Sequence, residues 1–276
     1  MLVTLNRVLE YAEANNQAIG AFNACNYEGI QAILGAAEEL NQPVILQYAD
    51  AHESYITLDE IGPLMVMMAD KAKVPVCVHL DHGSKLSEIK KALEMGFTSI
   101  MYDGSHLDFE KNVVNTRIAV EMADAYGASV EAEIGAMGGE GKTCEDKYTN
   151  PDEAKEFVEL TGVDALACSF GTIHGLYMSE PNLDFSIIED VRAKANIPVV
   201  MHGGSGVSEE DMQKCIKCGV RKINYYTYAA KAAGAAVKEH CAAAGDGNVY
   251  FHDIAVCARE ALKKDVMTAM KIFRCE

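Results

Sequence analysis

Short runs of apolar residues alternate along the chain with longer stretches in which apolar positions recur every three or four residues. The runs at 18–23, 44–48, 74–80, 99–103, 129–134, 165–170, 199–202 and 222–225 read as strands. Several are apolar throughout, as parallel strands buried on both faces are. Helical spacing fills the intervals at 27–40, 58–71, 85–95, 109–126, 151–160, 185–195 and 209–217,. The start signals agree: Asn150 precedes Pro151, an N-cap before a first-turn proline, and Ser208 precedes Glu209 and Glu210, acids at a helix's positive end,.

Strands alternating with helices in this way make either a closed barrel or an open doubly wound sheet. An open dinucleotide-binding sheet would carry G-x-G-x-x-G after its first strand, but here that strand runs out through Ala21-Phe22-Asn23-Ala24-Cys25. The expectation is an α/β fold, a single (β/α)8 TIM barrel, with residues 1–276 forming one domain. The 276 residues lie near the roughly 250 typical of that fold,. Extra helical residues at 229–244 and 254–273 close the barrel, extend it or pack on a partner.

Composition narrows the partners. Hydrophobic residues make up 49% of the chain, enough for a large core. No apolar run reaches the 18 or so residues of a membrane span, so no membrane partner is expected. The opening Met1-Leu2-Val3-Thr4-Leu5 runs into a helical pattern with neither a basic leader nor a cleavage site,. A net charge of −17, without a basic stripe, argues against nucleic acid,. An anionic ligand would have to be held locally. Nine cysteines, an odd number with no leader, read as reduced thiols and a cytoplasmic protein,. Cys215 and Cys218 fall in a helical stretch, where one helix face is the better reading than a redox or zinc pair.

Barrel active sites lie at the C-terminal ends of the strands. Those ends carry Asn23, Asp81, His82, Asp103, Glu133, His174, His202 and Asn224. His82, His174 and His202 each precede a glycine. Three such histidines suit a catalytic zinc ion with one coordination position left open. A lone buried histidine is usually just a hydrogen-bonded ring, but three on one rim among carboxylates are not explained that way. Asp81 reads as a ligand, as a group orienting a histidine, or as a general acid/base. Asp103 and Glu133 offer oxygens for a second metal position or for orientation. Glu131 shares a strand face with Glu133 and reads as a buried, paired acid. Gly203-Gly204-Ser205-Gly206 exposes N–H groups and a hydroxyl, as an anion nest needs, beside the seventh and eighth strands where barrels often hold phosphate,. His106 reads as a residue at the start of a helix, His52 as a loop residue and His79 as an interior ring.

At these residues the sequence resembles the class II, metal-dependent ketose-bisphosphate aldolases of fructose and tagatose type. The matching stretches are His79-Leu80-Asp81-His82-Gly83, Asp103-Gly104-Ser105-His106, Val130-Glu131-Ala132-Glu133-Ile134-Gly135 with Gly138-Gly139-Glu140, Ile173-His174-Gly175-Leu176-Tyr177, Glu180-Pro181-Asn182-Leu183-Asp184-Phe185, His202-Gly203-Gly204-Ser205-Gly206 and Lys222-Ile223-Asn224. The resemblance implies a lyase that cleaves a ketose 1,6-bisphosphate to dihydroxyacetone phosphate and an aldehyde through a zinc-stabilised enediolate. It implies that His82, His174 and His202 bind zinc, that Asp103 and Glu133 serve an alternative metal position, and that Asp81 is the acid/base at the C4 hydroxyl. Gly175, Gly203, Ser205, Asn224 and Thr227 would hold the phosphate. Asn23, Gly204 and Tyr226, at the same mouth, are expected as further substrate contacts apart from the resemblance. A monovalent cation near the phosphate and a homodimer or homotetramer joined through the last helices are implied too. Lys222 begins its predicted strand, so no lysine stands at a strand end, which favours a metal over imine chemistry. Residues 135–148, rich in glycine and charge, read as a lid, with Glu140 a candidate for proton transfer at the donor carbon.

The sequence departs from that pattern in places. Met178 stands where many relatives carry lysine, Tyr226 where fructose-type members carry aspartate, Ala49 where a serine is common, and Asp253-Ile254-Ala255 where Asp-Pro-Arg is common. Those serine and arginine positions are associated with the distal phosphate. The alternative is therefore the same chemistry on a ketose 1-phosphate whose distal end lacks a phosphate. Arg259 is a remaining cation, reaching a partner subunit or simply solvated. A non-catalytic sugar-phosphate-binding barrel ranks last.

Overall fold

The structure, a computed structural model, describes residues 1–135, 148–177 and 180–275. Eight parallel strands, β1 (Ile19–Asn23), β2 (Val44–Ala49), β3 (Val76–Gly83), β4 (Ser99–Tyr102), β5 (Ser129–Ile134), β6 (Ala165–Cys168), β7 (Val199–Met201) and β8 (Val220–Tyr225), close in sequence order into a barrel. Helix α1 (Leu5–Ala14) precedes it. Helices α2 (Tyr27–Leu40), α3 (Leu58–Lys71), α4 (Leu86–Met95), α5 (Phe109–Asp124), α6 (Pro151–Thr161), α7 (Phe185–Ala195) and α8 (Glu209–Cys218) connect successive strands, and α9 (Thr227–Ala244) and α10 (Phe251–Phe273) follow. Asn150 caps α6 by accepting from the Asp152 amide, and Ser208 caps α8 by accepting from the Asp211 amide,.

The barrel interior changes character along its axis. At the N-terminal end Ile19, Ala21, Ile45, Cys77, Met101, Ala165, Ala167 and Val200 pack on Leu5, Val8, Leu9 and Ala12, so α1 plugs that end with apolar surface. Towards the C-terminal end the interior is polar yet buried: Asn23, Gln47, His79, Asp81, Glu131, Glu133, Lys222 and Asn224. Such groups persist in a core only when paired, and their pairing builds the site described below.

The C-terminal helices close the barrel wall. α10 packs on α9, α2 and β1, with Phe273 stacked on Phe22 at 6.3 Å between ring centroids. Several strand ends shift by one or two residues, and two of the strands, β3 and β8, differ in ways that bear on the site. β3 starts later and runs on through Gly83, for a reason that lies in the site itself. β8 starts at Val220 rather than at Lys222. The two charges at its start are both ion-paired: Arg221 meets Glu13 at 2.8 Å, and Lys222 meets Glu131 at 2.7 Å inside the barrel.

Candidate active site

Successive strand residues point to opposite faces, yet Asp81 and His82 both reach the mouth. The cause is a register shift: Leu80 pairs with Ile100, but Gly83 pairs with Tyr102. Two residues of β3 thus oppose one of β4, a bulge that turns both side chains inward. His82 takes a left-handed backbone conformation at φ +54°. That conformation costs a non-glycine residue about 1–3 kcal/mol and is found where a site needs it.

His82 Nε2 lies 3.2 Å from His174 Nε2 and 2.8 Å from His202 Nδ1. A tetrahedral zinc ion with bonds of about 2.0–2.1 Å separates two nitrogens by about 3.3–3.4 Å, so these three fit one ion with little adjustment. Two of the outer nitrogens face carboxylates: His82 Nδ1 meets Asp103 Oδ2 at 2.7 Å, and His202 Nε2 meets Glu131 Oε1 at 2.8 Å. Carboxylates in these places fix ring orientation and tautomer for a metal. Glu133 Oε2 lies 4.0 Å from His82 Nδ1, and His82, Asp103 and Glu133 form a second group able to hold an ion.

The electrostatics favour positive charge at this point. Burial opposes a charge on His82, but Asp81, Asp103 and Glu133 outweigh it and lift the ring to about 10. Burial and the neighbouring His82 hold His174 down to about 4. Burial, with Asp103 close by, pushes Glu133 up to about 8. A divalent cation answers the same demand.

Asp81 is held from three sides. Asn23 Nδ2 donates to Oδ2 at 2.9 Å, Gln47 Nε2 donates to the same oxygen at 3.2 Å, and Asn224 Nδ2 donates to Oδ1 at 3.0 Å. Gln47 also donates to Asn23 Oδ1 at 2.9 Å. Burial opposes ionisation of Asp81, but His82, His202, Lys222 and the Asn23 amide prevail, and the carboxyl is held down to about 2.

The glycine loop brings the last two histidines together. Gly203 has φ +68°, and a Cβ there would lie 2.1 Å from the Ile173 carbonyl oxygen. Only glycine lets the loop after β6 come this close. Tyr177 staples the two loops, accepting from the Ile173 amide at 3.0 Å and donating to the Gly203 carbonyl at 2.9 Å. Ser205 Oγ accepts from the Tyr226 amide at 3.2 Å. Gly175, Gly203, Ser205, Asn224, Tyr226 and Thr227 line the same cavity of about 960 Å3 as Asn23, Asp81, the two exposed-side histidines His82 and His174, Asp103 and Glu133.

Some expectations change. Gly204 is absent from the described cavity lining, and its amide donates to the Asn224 carbonyl at 3.0 Å. It shapes the loop instead of offering an N–H to a ligand. His52 is not a bystander: its buried ring lies on Tyr226 at 4.6 Å between centroids and lines the cavity. His106 precedes α5, whose N-cap is Asp108, and lines the cavity too. Glu140 and most of 135–148 lie outside the described residues. Sequence reasoning missed Gln47 and Tyr177 as organisers of the site. Gln47 left a signal, a lone amide inside an apolar strand.

A closed (β/α)8 barrel whose mouth gathers three histidines and a held aspartate beside a glycine-rich loop is the arrangement of a barrel enzyme with a site able to hold a metal ion. The model of the family "Fructose-bisphosphate aldolase class-II" matches residues 3–276, and the chain belongs to that family. It is 40% identical over 281 residues to the probable fructose-bisphosphate aldolase of Bacillus subtilis (strain 168), covering 99% of this chain and 97% of that protein. It is 41% identical to the fructose-bisphosphate aldolase of Geobacillus stearothermophilus, covering 99% of this chain and 96% of that one. Among solved structures, the YdjI aldolase of Escherichia coli K12 superposes with a TM-score of 0.90 at 37% identity, covering 99% of this chain and 97% of that one. The protein is thus an aldolase, a lyase of the class II type. No helix among the described residues is long and apolar enough to cross a membrane.

Proposed function

We propose that the protein is a zinc-dependent aldolase that reversibly cleaves a ketose 1,6-bisphosphate of fructose or tagatose type to dihydroxyacetone phosphate and an aldehyde. The observation that carries this reading is the approach of His174 and His202 to one nitrogen of His82, at 3.2 and 2.8 Å, beside the held carboxylate of Asp81. An ion held by His82 Nε2, His174 Nε2 and His202 Nδ1 would supply a Lewis acid for the charge left on the donor fragment. Asp81 would take the C4 hydroxyl proton in cleavage and return it in condensation. Asn23, Gln47 and Asn224 keep its oxygens aimed. Asp103 orients His82 and, with Glu133, serves the alternative metal position. Glu140 would move the proton at the donor carbon.

Gly175, Gly203, Ser205, Asn224 and Thr227 would hold the phosphate, helped by the N-terminal amides of α9, which begins at Thr227,. A monovalent cation would sit nearby. We read the protein as cytoplasmic, acting on a small phosphorylated sugar with no nucleic-acid or membrane partner, and as a homodimer or homotetramer.

The test follows release of dihydroxyacetone phosphate by a coupled assay across fructose, tagatose and other ketose phosphates. Activity should vanish with a chelator and return with zinc. A His174→Ala variant that cleaves ketose phosphates normally would remove the metal from the reading.

One observation favours the narrower alternative, a ketose 1-phosphate without a distal phosphate. Among the described residues that line the cavity, none is lysine or arginine, and part of the wall is built of Ala49, Ala51, His52 and Tyr226. A second phosphate dianion would lack a cation on that wall. Strong preference for fructose 1,6-bisphosphate over such 1-phosphates rejects this alternative.

A further inference from the structure

Beneath the mouth a chain of buried charge runs from His202 through Glu131 to Lys222, and Lys222 has no part in the roles above. Lys222 Nζ lies 2.7 Å from Glu131 Oε2. Glu131 Oε1 lies 2.8 Å from His202 Nε2, and His202 Nδ1 lies 2.8 Å from His82 Nε2. The Lys222, Glu131 and His202 side chains are all 0% exposed. They come from β8, β5 and the end of β7, so the chain spans the barrel interior.

Stability does not explain it. Replacing a buried ion pair by apolar side chains of similar volume is often neutral or stabilising, and an apolar cluster packs just below it. What the pair does is act on His202. A carboxylate only accepts, so the contact with Glu131 puts the proton of His202 on Nε2 and leaves the Nδ1 lone pair facing His82 and His174. A carboxylate left alone has a choice of partners. The other neighbour of Glu131 Oε2 is His79 Nε2, at 3.7 Å, whose own Nδ1 meets Ser99 Oγ at 2.8 Å. With Lys222 holding Oε2, Oε1 remains for His202.

We infer that Lys222 is a positioning residue for the metal centre, clamping Glu131 so that His202 presents Nδ1 to the ion. This rests on the proposed reading of His202 as a zinc ligand. The clamp is tested on the full chain by zinc affinity, measured in competition with a chromophoric chelator, and by the visible spectrum of the cobalt(II)-loaded protein. The variants are Lys222→Met, Glu131→Gln and the two combined. Phe157→Leu, a fully buried core position away from the site, serves as a control.

Lys222→Met should weaken zinc by about 10–100-fold, as loss of a partner behind a metal ligand does, and should shift the cobalt bands. The combined variant leaves no uncompensated buried charge. It should regain thermal stability yet still bind zinc at least about tenfold more weakly than the wild type, so it carries the test if Lys222→Met does not fold. Phe157→Leu should lower the melting temperature and leave zinc affinity unchanged. Wild-type affinity in Lys222→Met or in the combined variant overturns the inference, as does an equal loss in Phe157→Leu. If His202→Ala binds zinc as the wild type does, the metal assignment itself falls and the clamp with it. Tight zinc binding that His202→Ala destroys and Lys222→Met leaves intact sinks the clamp alone.

Discussion

Asn224 donates from Nδ2 to Asp81 Oδ1 at 3.0 Å, joining the end of β8 to the end of β3 across the barrel mouth. With Asn23 on Oδ2, this leaves Asp81 no freedom to rotate. A group held so firmly suits proton transfer at one substrate atom. Asp81→Ala should lower kcat by about 10²–10⁴-fold at saturating zinc, the usual share of a positioned acid/base, while the protein still loads with zinc. Steady-state kinetics beside a zinc titration checks this. Near-normal kcat in that variant would take the acid/base role from Asp81.

Asp103 stands behind His82 as Glu131 stands behind His202. Asp103→Asn keeps the shape but offers His82 a weaker acceptor. Zinc affinity should drop by about 10–100-fold, with activity recovering at high zinc. Binding to the folded state also adds stability, about 2.7 kcal/mol at a zinc concentration 100 times Kd. Chelation should therefore lower the melting temperature of the wild type more than that of Asp103→Asn at equal, moderate zinc. Melts with and without chelator read this difference directly, and identical shifts in the two proteins count against it.

Much of the barrel and its mouth was legible because parallel strands buried on both faces are continuous apolar runs, and polar residues at their C-terminal ends stand out against them. His202 follows Val199–Met201 and Asn23 ends β1 for that reason. What depends on contacts between distant strands was not legible. The reach of both Asp81 and His82 requires a bulge that alternation does not predict. Lys222 looked like a strand boundary because its counter-ion, Glu131, lies on the far side of the barrel. His52 looked like loop because the ring that covers it, Tyr226, arrives only after β8. Gly204 looked like part of an anion nest, but its amide is turned to Asn224 by a contact the motif does not encode.

Gly203 carries a backbone demand and a steric one together. Gly203→Ala would keep φ near +68° with a Cβ 2.1 Å from the Ile173 carbonyl oxygen. The loop holding His174 must then move away from His202. The left-handed conformation alone costs about 1–3 kcal/mol in a non-glycine residue, and the contact adds to it. A lowered melting temperature with at least tenfold weaker zinc binding, about 1.4 kcal/mol, is expected. A Gly203→Ala protein with unchanged zinc affinity would show that the two loops can separate without cost to the centre.

Tyr225, the last residue of β8, ties the barrel to α10 by donating from its hydroxyl to Asp265 Oδ1 at 2.9 Å. Burial raises the Asp265 carboxyl above its usual range, and the Tyr225 hydroxyl opposes that rise. A carboxyl with a raised folded-state pKa favours folding below its unfolded value of about 3.9 and loses that contribution as pH climbs through the folded value. Tyr225→Phe removes the opposing donor, so the folded pKa rises further and the loss above it deepens. The variant should be less stable than the wild type by about 1 kcal/mol near pH 7, below the usual value for a hydrogen bond to a charged group because Asp265 is only half-buried,. Towards pH 4 the deficit should shrink, since a carboxyl with a raised folded pKa takes up its proton earlier than an ordinary one as pH falls,. Melts of the two proteins at both pH values decide it: an equal deficit at pH 4 and pH 7 would mean that the hydroxyl contributes packing alone and that Asp265 does not anchor α10 through its charge.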